Sequence, residues 1–423
     1  MRLAYSGVFF RTHQRGLVKP SAVLASSFLI TAALALPASA QTSSADPVAQ
    51  LVSQLDLGRY KETIRNLARF GDRRQGTERN RKAIDWIEAQ LKSYGCTTER
   101  IRYEYVAAPR QRVAPSGGGR GGPSGQGGST LFGTRAPTSV NENPLNQPDE
   151  RLRLLNAEQP DPKGGPREEV YCTKVGSTHP EEMYIVAAHM DGMGYGEAAN
   201  DDASGTALVM ELARILNAPG VKTERSIRFA LWNNEETGLN GAAAYVDQRK
   251  NLQGIESPKG SGRYPEPRWL GMIQHDMMMF DHGMPVAHTG ADGKTVAAPP
   301  LEQRREADVN IEFQANAKQA EGAQKLAWVF RAANDKYASD YPASVGPHMT
   351  NTDSTPFMDL APSISLRENE RGQQIGAGWN PHWHQPTDLV STFSDKDYLL
   401  GLNAAQTTLA AVAQLAGART ENR

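Results

Sequence analysis

The sequence predicts an α/β protein with a mostly parallel, mixed central sheet flanked by helices on both faces. Three observations predict it. From Glu169 onward, apolar runs of strand length alternate with segments of helical periodicity. Apolar strands separated by helices imply a sheet covered on both sides. Three of the runs end in an acidic or histidine-bearing cluster: AAHMD (Ala187–Asp191), LWNNEE (Leu231–Glu236) and MIQHDM (Met272–Met277). Ligands of such sheets collect beyond the carboxyl ends of the strands.

In chain order, residues 1–40 read as a secretory signal peptide. A basic region with Arg2, Arg11, Arg15 and Lys19 precedes an apolar stretch, Ala22–Leu36, and the small residues Ala38-Ser39-Ala40. The apolar stretch is short for a membrane span and is interrupted by Ser26, Ser27 and Thr31. The expectation is cleavage after Ala40, no membrane anchor thereafter, and a periplasmic or secreted protein. At 423 residues the chain is long enough for one large catalytic domain or two ordinary ones.

Helices are expected over Arg59–Phe70 and Arg81–Tyr94, the second carrying Ile84, Ile87 and Leu91 at helical spacing before Gly95. Cys96–Val106 alternates as a half-buried strand. From Ala108 to Gly165 the chain is rich in Gly, Pro, Ser and Gln, and reads as a flexible surface insertion. Strands follow at Glu169–Val175 and Met183–Ala188, a helix at Ala203–Leu216, a strand at Ser226–Trp232 and a helix at Thr237–Arg249. Trp269–His275 is a strand, Gln319–Tyr337 a helix, Ser363–Leu366 a short strand and Lys396–Leu415 a terminal helix.

The formal charge of −1 over 423 residues gives no reason to invoke nucleic acid or an acidic membrane surface. Loss of residues 1–40, which hold four cations and no acid, takes it to −5. The two cysteines, Cys96 and Cys172, sit in strand-like segments outside any metal-type cluster. In an oxidising compartment they form a disulfide across neighbouring strands; two free buried thiols are the alternative.

The clusters supply the chemistry. His189 and Asp191 lie two apart after a strand and share a face, so Asp191 can support the second nitrogen of a ligating imidazole. Asn200-Asp201-Asp202 opens a helix; one aspartate is expected to cap it and the other to reach a metal. Glu235-Glu236 places adjacent carboxylates at a strand end, where one binds metal and the other moves a proton. Asp276 ends the strand Trp269–His275, whose His275 points to the other side of the sheet. His382 and His384 stand in a late Pro-rich loop. Histidines and carboxylates without thiolate suit zinc, with manganese or cobalt as alternatives, and the ligand number suggests two ions.

Over Glu169 to Ser391 these motifs resemble the M28 family of co-catalytic zinc peptidases, including secreted bacterial aminopeptidases. That resemblance implies a single phosphorylase/hydrolase-like zinc peptidase domain over 41–423. It implies that Asp201 bridges two Zn2+ ions, with His189 and Asp276 on one and Glu236 and His384 on the other. Glu235 is implied as general base and Asp191 as partner of His189. His384 rather than His382 fits the family's H-x-P-x-D, and TDSTPF (Thr352–Phe357) resembles its S-D-H-x-P-F pocket wall. Trp383 stands where the family often has Tyr, and its indole N–H is a candidate oxyanion donor.

The implied function is an exported aminopeptidase that cleaves N-terminal residues from peptides by attack of a metal-bridged hydroxide. A glutaminyl cyclase-like acyltransferase and a carboxypeptidase are alternatives on the same fold. A non-catalytic, receptor-like binding domain is a further alternative, disfavoured because every ligand position and the base are retained. Substrate preference and oligomeric state are left open by the sequence.

Overall fold

Period-two alternation decides which way each strand faces. In Met183–His189, Val186 and Ala188 face one core while Met183, Ile185 and Ala187 face another. The computed structural model describes residues 46–107, 140–281, 288–289, 293–296, 309–347, 351–368 and 380–421. The expected signal peptide, residues 1–40, lies outside the described residues.

The helices are α1 (Pro47–Val52), α2 (Leu57–Ala68), α3 (Glu78–Ser93), α4 (Glu150–Leu155), α5 (Ala203–Leu216), α6 (Asn240–Arg249), α7 (Ala320–Tyr337) and α8 (Asp395–Leu415). The strands are β1 (Thr97–Val106), β2 (Gly164–Lys174), β3 (His179–His189), β4 (Val221–Lys222), β5 (Arg225–Trp232) and β6 (Arg268–His275). They continue with β7 (His288–Thr289), β8 (Thr295–Val296), β9 (Val309–Phe313), β10 (Ala343–Gly346), β11 (Ser363–Glu368) and β12 (Arg419–Thr420). Eight of them make one sheet in the order β1-β2-β5-β3-β6-β11-β9-β10. Its centre, β5-β3-β6-β11, is parallel, and β1, β2 and β9 run antiparallel to their inner neighbours. The mixed α/β sheet expected from the sequence is the observed one.

One core joins the sheet to α2, α3, α5, α7 and α8. Helix α5 is apolar nearly all round and buried at thirteen positions, as a helix enclosed between sheet and outer helices must be. The other core is aromatic. Trp232, Tyr245, Trp269 and Phe357 pack with centroids 5.0–5.9 Å apart beneath α6. Cys96 and Cys172 form a disulfide tying the start of β1 to β2, which selects the bonded alternative. Among the described residues, no helix is long and apolar enough to cross a membrane.

The segment read as a flexible insertion over 108–165 divides. Residues 108–139 lie outside the described residues. Residues 140–165 correct the expectation: they carry α4 and the start of β2, and bury Asn141, Gln147 and Asn156. Composition misled there because their order comes from amide side chains bonded to other loops rather than from apolar periodicity.

Candidate metal centre

The parallel register brings the first two residues together. Ala187 pairs with Gln274 and Ala188 with His275, so the next positions, His189 and Asp276, meet at the carboxyl edge of the sheet. His189 Nε2 lies 3.7 Å from Asp276 Oδ1. The neighbouring His275 points to the opposite face, as expected. Its Nδ1 lies 3.0 Å from the Ala187 carbonyl and its Nε2 2.8 Å from Thr408 on α8.

Asp201 and Asp202, joined by a cis peptide, have separate tasks. Asp202 caps α5 by accepting from Gly205 N at 2.9 Å, and also accepts from Met277 N at 3.2 Å. Asp201 is left to face the pocket. Its Oδ1 is 3.3 Å from His189 Nε2 and its Oδ2 is 3.1 Å from His384 Nε2. Glu236 follows β5, and its Oε2 is 2.7 Å from His384 Nε2. His189, Asp201 and Asp276 form one buried set of donor atoms; Asp201, Glu236 and His384 form a second, with Asp201 common to both. His382 stays outside, its Nδ1 2.9 Å from Thr387.

Glu235 lines the same cavity, of about 240 Å³, with Gly238, Leu239, Met277, Asn351, Arg367 and Trp383 among its other walls. Asp191 sits differently from expectation. Its main-chain carbonyl, not its carboxylate, meets His189 Nδ1 at 3.0 Å, and the carboxylate is 3.9 Å away. The Asp191 carboxylate instead accepts from Glu235 N at 3.1 Å. The carbonyl contact still orients the ring with Nε2 toward the acids. Of the TDSTPF stretch, Phe357 packs in the aromatic core, and Asn351, the residue just before Thr352, is on the cavity wall.

The electrostatics follow from crowding. Burial opposes charge on His384, yet Glu236 and Asp201 push it up to about 10. Burial likewise opposes charge on His189, and Glu235, Asp201, Asp202 and Asp276 hold it well above the usual imidazole range. Burial raises Glu236 to about 7 and Glu235 well above the carboxylate range. Asp276 is held low against its burial by Arg367, whose guanidinium donates to its Oδ2 at 3.1 Å. So many buried acids beside two imidazoles is the donor chemistry a divalent cation satisfies. Glu236 Oε1 is also buried without a hydrogen-bond partner, a further sign that the set suits a metal.

Several supporting residues were not singled out in the sequence. Asp388, the last residue of the H-x-P-x-D match, accepts from Asn200 N at 2.8 Å and Asp201 N at 3.1 Å. Glu368 accepts from Asn200 and Asn380 side chains. Arg73 donates to the carbonyls of Met190, Glu197 and Ala198. The motif spacing could have flagged Asp388; bonds to main-chain carbonyls leave no such sequence signal.

Residues 169–408, which include every residue of both donor sets, match the family model described as Peptidase family M28. The chain belongs to this family. Among curated relatives, carboxypeptidase Q of Xenopus laevis is 35% identical over 83 residues, 19% of this chain and 18% of that protein. Aminopeptidase YwaD of Bacillus subtilis is 42% identical over 69 residues, 16% of this chain and 14% of that protein. The matches thus span less than a fifth of these relatives' own length. Among solved structures, the zinc aminopeptidase BSAP from Bacillus subtilis aligns over 87% of this chain and 97% of its own, with TM-score 0.55 and 15% identity, so the M28 fold is shared.

Proposed function

We propose that this M28 protein is an exported metallo-aminopeptidase that holds two zinc ions and hydrolyses the first peptide bond of peptides with a free N-terminus. The observation that carries the proposal is Asp201, whose two oxygens face two different histidines, each beside a further carboxylate. His189, Asp276 and Asp201 would hold one ion, and Glu236, His384 and Asp201 the other. Zinc, when bound, polarises a scissile carbonyl and lowers the pKa of water. Manganese or cobalt suits the same donors.

The chain's own residues do the rest. Glu235 is half-buried on the cavity wall and stands outside the donor sets, so its carboxylate is available to take a proton from the attacking water. It returns that proton to the leaving amine. The Asp191 carboxylate, by accepting from Glu235 N, fixes the backbone that aims the base. Trp383 stacks on His384 with centroids 3.9 Å apart and holds the ring in place; its indole N–H is the candidate donor to the oxyanion. The names of YwaD and BSAP support aminopeptidase action. Export is supported by the signal-like N-terminus and by the disulfide, a bond of oxidising compartments.

Glu235→Gln tests the reading. It is expected to abolish hydrolysis of aminoacyl-chromophore substrates while zinc content stays at wild-type level; normal turnover in that variant refutes the assignment of the base. Equal cleavage of N-terminally blocked and unblocked substrates refutes aminopeptidase action. A zinc-to-protein ratio near one, with cyclisation of N-terminal glutamine, selects the cyclase alternative.

A further inference from the structure

The two donor sets stand on unequal supports. His189 and Asp276 end hydrogen-bonded strands of the central sheet. Asp201 stands in the irregular segment between β3 and α5, and His384 in the loop before α8. Backbone groups of such buried loops need partners from elsewhere. Here five consecutive carbonyls of the β3–α5 segment are satisfied by side chains distant in sequence. Asn141 donates to Gly194 O, Gln147 to Tyr195 O, Asn156 to Gly196 O, and Arg73 to Glu197 O and Ala198 O.

Three of those donors belong to residues 141–156, and two of the three also grip or adjoin the His384 loop. Gln147 is fully buried, and its Nε2 donates at 2.9 Å to Tyr195 O and at 2.9 Å to Pro386 O. Its Oε1 accepts from Asp149 N at 3.1 Å, which fixes the amide orientation. The main-chain N–H of Asn141 donates to the carbonyl of His384 itself at 3.0 Å. The two loops approach closely where they are tied: a Cβ on Gly194, at φ +97°, would lie 2.5 Å from the His384 carbonyl.

We propose that Gln147 is a positioning residue that joins the Asp201-bearing loop to the His384-bearing loop, and so sets the second donor set, Asp201, Glu236 and His384. The proposal rests on the two-ion reading above. One side-chain amide spans two backbones, and each is a few residues from a ligand: Pro386 is two from His384, and Tyr195 shares with Asp201 a segment whose carbonyls are otherwise pinned. Of the first set, His189 and Asp276 are anchored on β3 and β6 and do not depend on it; only the shared Asp201 does.

The test is zinc affinity, with Gln147→Met as an apolar replacement of similar length and Gln147→Asn as a shortened amide. Zinc is titrated into metal-free protein against a chromophoric chelator. In Gln147→Met the weaker of two equivalents is expected to bind about 10- to 100-fold less tightly, the usual effect of removing an outer support of a metal site. The tighter equivalent, two of whose three ligands are held independently of Gln147, is expected to weaken much less, and Gln147→Asn to fall between. Leu145→Ala, on the same segment but exposed, serves as the neutral control. Unchanged affinity for both equivalents overturns the proposal, as does equal weakening of both. Loss of tertiary structure in both Gln147 variants, with or without zinc, also overturns it, since the role is then general to folding. If the wild type binds a single equivalent, the two-ion reading fails by itself, and the Gln147 assignment then stands or falls on that equivalent being weakened.

Discussion

Replacing Arg73 by lysine isolates how the β3–α5 segment is held. The Arg73 side chain is fully buried, and its guanidinium donates to four carbonyls: Met190 at 2.8 Å, Gly71 at 3.0 Å, Glu197 at 2.8 Å and Ala198 at 2.8 Å. These bonds leave from three different nitrogens, Nε, Nη1 and Nη2. A lysine ammonium keeps the charge but donates from a single nitrogen, so it reaches one or two of these carbonyls. Two or three buried carbonyls lose this donor, at about 1–3 kcal/mol each where no other donor serves them; Ala198 O keeps the bond from Ala203 N at 3.1 Å. The expected loss is about 2–9 kcal/mol, against a total stability on the order of 5–15 kcal/mol for a folded domain. Arg73→Lys is therefore expected to be severely weakened, and Arg73→Met, which removes all four bonds, to be weakened further.

The assay is equilibrium urea unfolding of metal-free protein followed by tryptophan fluorescence, with the exposed Arg65→Lys as control. Exposed substitutions of that kind stay within about 0.5 kcal/mol. If Arg73→Lys falls in the control's range, the guanidinium bonds do not stabilise the segment and the reasoning is refuted.

Two further outcomes can be measured in the same way. Burial lowers His275 to about 4 from the ordinary imidazole value of 6.5, so the unfolded chain takes up this proton first as pH falls. Its contribution is present above pH 6.5 and is lost as pH falls toward 4, amounting to about 3 kcal/mol. His275→Gln should flatten the stability profile between those pH values; parallel profiles would contradict the assignment. The Cys96–Cys172 disulfide closes a loop with a sequence separation of 76, and reducing it, or replacing both cysteines by alanine, should cost about 4 kcal/mol. An unchanged urea midpoint under reductant would show that the closed loop does not constrain the unfolded chain.

What was legible in the sequence was what has a period or a strand end. Helix α5 matches the expected Ala203–Leu216 residue for residue, because its apolar run begins at a capping aspartate and ends before Asn217. The opposite orientations of His275 and Asp276 follow from alternation alone. Helix α6 begins at Asn240, three residues later than expected, because Asn234, Gly238 and Leu239 all take positive φ in the turn after the two glutamates. Strands β9 and β10 were missed; Ala343–Gly346 is four residues with little apolar content, and pairing with β9 rather than propensity makes it a strand. The Asn141, Gln147 and Arg73 contacts were illegible for a deeper reason. Each ends on a main-chain carbonyl, and every residue has one.

That same distinction explains how adjacent, chemically identical residues acquire different roles. Asp202 is committed to backbone: its carboxylate serves Gly205 N, Met277 N and His189 N, at 2.9, 3.2 and 3.3 Å. Asp388 is committed in the same way to Asn200 N and Asp201 N. Such carboxylates have their lone pairs occupied by fixed donors, and they build the frame. Asp201, Glu236 and Asp276 turn oxygens toward imidazole nitrogens instead. Where those imidazoles must carry protons to face the acids, as with His384 pushed up to about 10, the protons occupy positions that a divalent ion can take. The frame residues keep their partners whether or not an ion binds, whereas the cavity residues exchange protons for it. Zinc uptake by the metal-free protein near neutral pH should therefore release protons, and the release should diminish in His384→Ala while persisting in Asp202→Asn; proton release equal in wild type and His384→Ala would place the exchange elsewhere.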